Sequence, residues 1–268
     1  VLPFDVPANE FMNLEGQKIS GSRDWAVWGL DFLTRYDPDP LRYYLTMIMP
    51  EAHDTDWDWA EFYHRNNDEL VATWGNLANR VLSFGYKNWD GRVPEPGTLM
   101  EMDQNLLAQV EKGFETVGGE IEAVHLRAAL MEALRLAAEV NKYLDQTSPW
   151  ITISQDKSAA GRYIYVAMRA IDSLKVLFAP FLPFTSARLN DFLGYENELF
   201  GSQVIRTEKD DLGDHTDLMY DPTGATGKWQ PSQLQPGQAL RPPQPLFRKL
   251  DERIVVEERN RLGARLPR

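Results

Sequence analysis

Apolar positions recur at helical spacing along most of the chain. Leu70, Trp74, Leu77, Val81 and Phe84 fall at alternating steps of four and three, which predicts a long helix with one buried stripe. A second helix is expected from about Met100 to Val117, stopped by Gly118-Gly119. The strongest pattern comes next: Ile121, Val124, Ala128, Met131, Leu134 and Ala138 mark an inner face, and Pro149 ends the segment. Another helix runs from about Ser158 to Phe178, with Ile164, Met168, Ile171, Leu174 and Phe178 turned inward. Thr185 or Ser186 suits the cap of a shorter helix ending at Gly194, and a last helix is expected from about Pro245 to Leu262.

The stretches between differ in character. Residues 1–23 read as a strand running into a polar loop, and residues 24–49 as two helical pieces divided by Asp37-Pro38-Asp39-Pro40, where each Pro suits a first helical turn. Residues 85–98 hold Gly and Pro and read as a loop. Residues 200–245, rich in Gly, Pro and Asp with little periodicity, read as a long draped loop. Residues 51–60 are acidic. Their interleaved Trp residues and the lack of a Gly turn favour a solvated segment over a cation-binding loop, although Trp57 and Trp59 themselves, like Trp25, Trp28, Trp74 and Trp89, are expected in packing. The fold class that follows is mainly α: an antiparallel bundle of four to five helices, preceded by a small strand-and-loop unit.

Composition narrows the chemistry. The chain has 268 residues, 43% hydrophobic and 25% charged, in the range of an ordinary globular protein. It has no Cys, which excludes disulfides, thiolate metal sites and a Cys nucleophile. Its four His (His53, His64, His125, His215) show no metal-ligand spacing. No stretch reads as a signal peptide, and the most apolar run, Val176 to Phe184, is broken by Pro180 and Pro183 and too short for a bilayer. A cytoplasmic setting is the default. The net charge of −12 argues against a nucleic-acid binder of the basic-patch kind. The charge is uneven, however: residues 241–268 carry eight Arg or Lys against four acids, so this tail is +4 and the remainder −16. A solvated helix end is the plain reading of that tail, and phosphate contact the alternative.

The sharpest local feature is Lys18-Ile19-Ser20-Gly21-Ser22-Arg23. A Lys, two Ser and a Gly on a loop suit phosphate oxygens: the ammonium is a point charge, the hydroxyls donate, and Gly lets the backbone approach. By pattern alone an ordinary surface turn is favoured. Asn76 and Arg80 lie four apart at the edge of the first buried stripe, where an amide and a guanidinium can reach base edges or simply flank a helix. Trp150 follows Ser148-Pro149, a turn that can present an indole outward for stacking or cap the bundle.

The longer string from Leu2 to Arg23 resembles the KMSKS region of methionyl-tRNA synthetases, which are class I aminoacyl-tRNA synthetases. The resemblance continues through Trp25 to Trp28, Tyr36 to Leu45 and Phe62 to Phe84. It resumes at Asn141-Lys142-Tyr143-Leu144, Ser148-Pro149-Trp150 and Pro245 to Asp251, and so covers nearly the whole chain. It implies that residues 1–57 are the end of a Rossmann-like catalytic domain with its stem-contact region. Residues 58–268 would then be the α-helical anticodon-binding domain, with the C-terminal helix included.

By the same resemblance, Lys18, Ser20 and Ser22 are the catalytic residues and Lys18 and Gly21 the ATP-binding ones. The loop would close on the triphosphate of Mg-bound ATP and stabilise the departing pyrophosphate. Gly21 stands where the family usually has a second Lys, and Arg23 is the cation nearest to replace it. Asn76, Arg80 and Trp150 are implied to bind the anticodon of tRNA(Met), with no metal held by this chain and no membrane or DNA partner. The family's His-Ile-Gly-His-type motif and methionine pocket are not found in this sequence. The expectation is therefore the C-terminal portion of a synthetase, inactive alone and completed by the remainder of the catalytic domain. Two other readings stay open: a stand-alone tRNA-binding module, and a helical scaffold with no RNA role.

Overall fold

The computed structural model describes residues 5–211 and 213–263. Leu2 to Phe4 of the resemblance string and Arg265 and Arg268 of the basic tail lie outside the described residues. The chain begins with a small sheet of β1 (Met12–Leu14), β2 (Gln17–Lys18) and β3 (Thr55–Trp57), in the order β2-β1-β3. β1 pairs antiparallel with β2 and parallel with β3. The tight β1–β2 turn places Glu15 at φ 48 and Gly16 at φ 72, a conformation that suits Gly. Two helices intervene, α1 (Gly29–Leu33) and α2 (Pro38–Met47), with Pro38 in the first turn as its fixed φ favours.

The acidic Trp-rich segment is not a solvated one. Trp57 and Trp59 are buried with Leu14, Phe32, Tyr44 and Phe62 in the first of two cores, and their rings meet edge to face. The neighbouring acids serve as backbone acceptors: Asp54 takes the Phe11 amide, Asp56 the Gly16 amide, and Asp58 caps the next helix through the Glu61 amide.

From here one helical rod runs from Trp59 to Asn88. It comprises α3 (Trp59–His64), a π segment (Arg65–Gly75) and α4 (Asn76–Asn88), so the first stripe extends beyond the expected loop start at residue 85. Leu70, Trp74, Leu77 and Val81 are buried as the stripe requires. In the π segment, buried Asn66 and Asn67 donate to the carbonyls of Arg248 and Leu250. Phe247 packs against Gly75, where a Cβ would stand 2.9 Å from its ring.

The bundle is completed by α5 (Glu101–Glu122), α6 (Leu126–Thr147), α7 (Pro149–Thr152), α8 (Lys157–Phe178) and α9 (Pro183–Phe192). Four sequence expectations are corrected here. Helix α5 runs through Gly118-Gly119, because Trp229 packs over Gly118 and donates from its indole to the Phe114 carbonyl. The inner face of α6 is Ala129, Leu130, Ala133, Leu136, Ala137, Val140 and Leu144. Ala128, Met131 and Ala138 point outward, and Val124 precedes the helix at φ 61. Helix α9 is capped neither by Thr185 nor by Ser186. Asp39 on α2 accepts from the Thr185 amide and hydroxyl, both at 2.6 Å, and so caps it in trans. Burial pushes the Asp39 carboxyl up, against these hydrogen bonds, which favour its charged form. Residues 200–245 contain a hairpin, β4 (Ser202–Asp210) paired antiparallel with β5 (Gly213–Asp221).

The remaining chain forms a strap rather than a long helix. Leu234, Leu240, Leu246 and Phe247 sink into the bundle core, and among the described residues here only α10 (Arg253–Arg259) is helical. Sequence pattern groups this helix with the bundle, yet its Ile254 and Val255 pack into the first core beside Leu14, Trp59 and Phe62. A buried cluster also locks the strap: Lys175 donates to Asp172 and Asn190 at 2.7 and 2.8 Å, and Ser232 donates to Asp172. Burial pulls the Lys175 ammonium below its ordinary range, while the Asp172 carboxylate opposes the shift. Among the described residues, no helix is long and apolar enough to cross a membrane.

Two glycines in α5 separate packing from propensity. A Cβ on Gly113 would stand 2.5 Å from Leu136 and 2.8 Å from Leu177, both fully buried, whereas Gly119 has open space. Gly119→Ala should raise unfolding free energy by about 0.5–1 kcal/mol. Gly113→Ala should lower it by about 1 kcal/mol, because overpacking of about 1–3 kcal/mol exceeds the same helical gain. Urea unfolding of both variants checks the pair, and equal signs would contradict the packing described.

Candidate functional site

Two exposed constellations stand out, one on each core. The first is the loop after β2. Ser20 and Trp25 exchange both backbone hydrogen bonds at 2.9 Å, closing the loop, and Gly21–Arg23 form one 3-10 turn. The Ser20 and Ser22 hydroxyls lie 3.3 Å apart and share a hydrogen bond. Arg23 donates from Nη2 to the Lys18 carbonyl at 3.0 Å, so its guanidinium stays within the loop. The Lys18 ammonium has no ion-pair partner among the described residues, and Lys18, Gly21 and Ser22 are exposed. One surface therefore offers two hydroxyls, a lysine and an arginine, a donor set that fits phosphate oxygens. Of the nearby carboxylates, Glu15 and Asp58 pair with Arg259, and Asp56 accepts from the Gly16 amide.

The second constellation lies where α4 meets the end of α6. Ser148 adopts φ 41 and ends α6, and Pro149 starts α7 as its first residue. This turn presents Trp150, which remains 38% exposed. The Arg80 guanidinium lies over the indole, 4.8 Å from the ring centroid, an attraction of about 0.5–1 kcal/mol at an exposed site. Asn76 sits one turn before Arg80 on the same exposed face of α4 and has no side-chain partner among the described residues. Arg80 and Trp150 are thus in contact, and Asn76 shares the helix face of Arg80.

Two contributors escape sequence reasoning. Asp145, five residues before Trp150, stands 3.8 Å from Arg80 and opposes its drift toward solvent. Deeper, Asp103 at the start of α5 accepts from the Tyr143 hydroxyl at 2.6 Å and pairs with Arg162 at 3.0 Å. Burial, then the Asp103 hydrogen bond, push the Tyr143 phenol well up and keep it a donor. This network ties α5, α6 and α8 together near the Trp150 turn. Its only sequence signal is polar residues at inward helical positions.

Four of the basic tail's eight cations are engaged in ion pairs, while Arg248 and Lys249 are exposed with no ion-pair partner among the described residues. Arg241 pairs with Asp191, Arg253 with Asp251, Arg259 with Glu15 and Asp58, and Arg261 with Glu258. Elsewhere, the hairpin gathers Glu208, His215 and Asp217, whose ligand-type atoms lie within 4.8 Å of one another on one exposed face. Spacing rules miss this cluster because strand pairing, not helical periodicity, assembles it.

Two family models match separate stretches of the chain. Residues 1–82 match the family model "tRNA synthetases class I (M)", and residues 93–212 match "Anticodon binding domain of methionyl tRNA ligase". The chain is 52% identical over 265 residues to the methionine–tRNA ligase of Thermomicrobium roseum, covering 98% of the chain and 45% of that protein. It is 50% identical over 266 residues to that of Chloroflexus aggregans, covering 99% and 44%. Among solved structures, Mycobacterium tuberculosis methionyl-tRNA synthetase in complex with methionyl-adenylate superposes with a TM-score of 0.72 at 27% identity, over 90% of this chain and 43% of that one. The fold is that of a class I aminoacyl-tRNA synthetase with its helical anticodon-binding domain. Within that class, the chain belongs to the methionyl-tRNA synthetase family. It spans less than half the length of the relatives it matches.

The departure at Gly21 is open to test. A Cβ there would meet only Trp28 at 3.6 Å, an ordinary contact, and the backbone is not in the left-handed region. Gly21→Lys should leave unfolding free energy within about 0.5 kcal/mol of the parent, as an exposed substitution without a clash does. A loss above about 1 kcal/mol in urea unfolding would show that the loop geometry itself demands Gly.

Proposed function

We propose that this chain is the tRNA-reading portion of a methionine–tRNA ligase, the enzyme that activates methionine with ATP and transfers it to tRNA(Met). The observation that carries the reading is the exposed Trp150 indole stacked by Arg80 beside Asn76, in a chain of this family. An indole face takes a base by stacking. The Arg80 fork and the Asn76 amide supply the hydrogen bonds that distinguish one base edge from another. With a formal charge of −12, the chain contributes little nonspecific attraction to RNA. Recognition by stacking and placed polar groups suits that charge, and it points to an anticodon loop rather than to a duplex.

The Lys18 loop is the second half of the proposal. The Lys18 ammonium neutralises charge on the triphosphate, and the Ser20 and Ser22 hydroxyls donate to its oxygens. Arg23 supplies the second positive charge that Gly21 lacks. These groups act on charge that grows as pyrophosphate leaves, so their contribution is electrostatic. In this reading magnesium arrives with the nucleotide. The remainder of the catalytic domain supplies the methionine pocket and the other ATP contacts. The domain division follows: residues up to about 57, joined by α10, carry the loop, and the bundle reads the anticodon. A cytoplasmic location goes with this role.

Gel shifts with tRNA(Met) and anticodon-swapped controls test the reading. Trp150→Ala should weaken tRNA(Met) binding by roughly 10- to 100-fold, equivalent to about 1–3 kcal/mol of lost stacking. Lys18→Ala should leave that binding unchanged. Equal affinity for swapped anticodons, or no effect of Trp150→Ala, would contradict the assignment.

A further inference from the structure

Within the Lys18 loop the supports are the Ser20–Trp25 bridge, the Arg23 and Asp24 amides donating to the Ser20 and Gly21 carbonyls at 3.3 Å, the Ser20–Ser22 contact and the Arg23 bond to the Lys18 carbonyl, and the Trp25 indole donates to the Leu14 carbonyl at 2.9 Å. Both of its flanks are held from outside by one short segment more than 230 residues downstream. On the entry side, Arg259 donates from Nε to Glu15, in the turn that leads into β2, and from Nη2 to Asp58, each at 2.9 Å. Glu15 is itself fixed, because its other oxygen accepts from the Trp59 amide at 2.9 Å. On the exit side, the Gly263 amide donates to the Asp24 carbonyl at 3.0 Å, directly after the loop.

We infer that Arg259 is a positioning residue for the Lys18 loop, which it holds through Glu15 and Asp58 while Gly263 holds the return. The inference rests on the reading of that loop as the triphosphate-binding one. Docking of α10 does not require Arg259. Ile254 and Val255 are buried in the first core, and buried Glu258 accepts two hydrogen bonds from Arg35 (2.7 and 2.9 Å) and one from Tyr36 (2.8 Å). Arg259 stands apart from that anchorage. Its side chain is 42% exposed, and its positive charge lies between two carboxylates on different elements. A half-exposed pair of this kind adds little to global stability, so its loss should act locally, on the turn it holds. Because the strap first crosses the bundle, the same segment also links the loop to the body that carries Trp150.

Hydrogen exchange of the described chain, without nucleotide or RNA, tests the inference at the Ser20 and Trp25 amides, which form the loop's closing bridge. Arg259→Gln should speed exchange at both by about fivefold, while α6 amides and the melting temperature stay unchanged. Glu15→Gln keeps an acceptor for Trp59 and should give the same increase, with the double variant adding nothing further. Arg259→Lys keeps the charge between the two carboxylates and should restore most of the protection. Unchanged exchange in Arg259→Gln would overturn the inference. So would additive effects, failure of Lys to restore, or a parallel rise in α6 that reveals a general loss of docking. The readout involves no ligand, so it stands or falls separately from the RNA-binding test of Trp150.

Discussion

The structure depends on one helical rod that never breaks between Trp59 and Asn88. Its first turn sits in the aromatic core beneath the Lys18 loop, and its fifth and sixth carry Asn76 and Arg80 to the other end of the molecule. At 1.5 Å per residue, the 21 steps from Trp59 to Arg80 span roughly 30 Å. The rod sets that separation mechanically, because no flexible linker intervenes. The π segment is its singular stretch, and it coincides with the place where Asn66, Asn67 and Gly75 receive the C-terminal strap. Irregular helical turns at sites of close approach are a recurrent use of such geometry.

The strap turns a linear arrangement into a closed one. It leaves the bundle at Phe247, bonds to the rod through the carbonyls of Arg248 and Leu250, and ends in α10 against the first core. The two hydrophobic cores are therefore joined twice, once by the rod and once by the strap. The buried Glu258 shows why the second joint is specific. A carboxylate out of water needs its hydrogen bonds met, and Arg35 and Tyr36 meet them only if α10 lies where it does. Arg35 gains correspondingly: its hydrogen bonds and charges with Glu258 and Asp31 push its titration up beyond the desolvation that opposes it.

Sequence pattern was reliable for the Leu70–Val81 stripe, and the five inward positions of α8 are buried too, although that helix is buried on nearly all sides. The same pattern picked the wrong face of α6, where Ala128, Met131 and Ala138 are exposed. It failed where an interaction distant in sequence decided the outcome. The trans cap from Asp39, the packing of Trp229 over Gly118, and the strap's extended course all depend on residues dozens of positions away. The β4–β5 hairpin was illegible for another reason: both of its faces are largely exposed, so no alternation of apolar and polar residues marks it. In the candidate sites, Lys18, Asn76, Arg80 and Trp150 were singled out by the ordered family motifs, and the structure shows Arg80 over Trp150. Asp145 and the Asp103–Tyr143–Arg162 network were not, because motifs mark the groups that face a ligand and not those that hold them.

The central claim is that the Lys18 loop and the Trp150 turn are held at one fixed separation. Because the chain contains no Cys, a Gln17→Cys, Ser83→Cys variant places two spin labels specifically, one on β2 beside Lys18 and one on the exposed face of α4. Pulsed dipolar spectroscopy should give a single narrow distance distribution, unchanged when tRNA(Met) is added. A broad or two-peaked distribution, or a shift on adding tRNA, would show that the rod and strap do not fix the geometry, and would contradict the account.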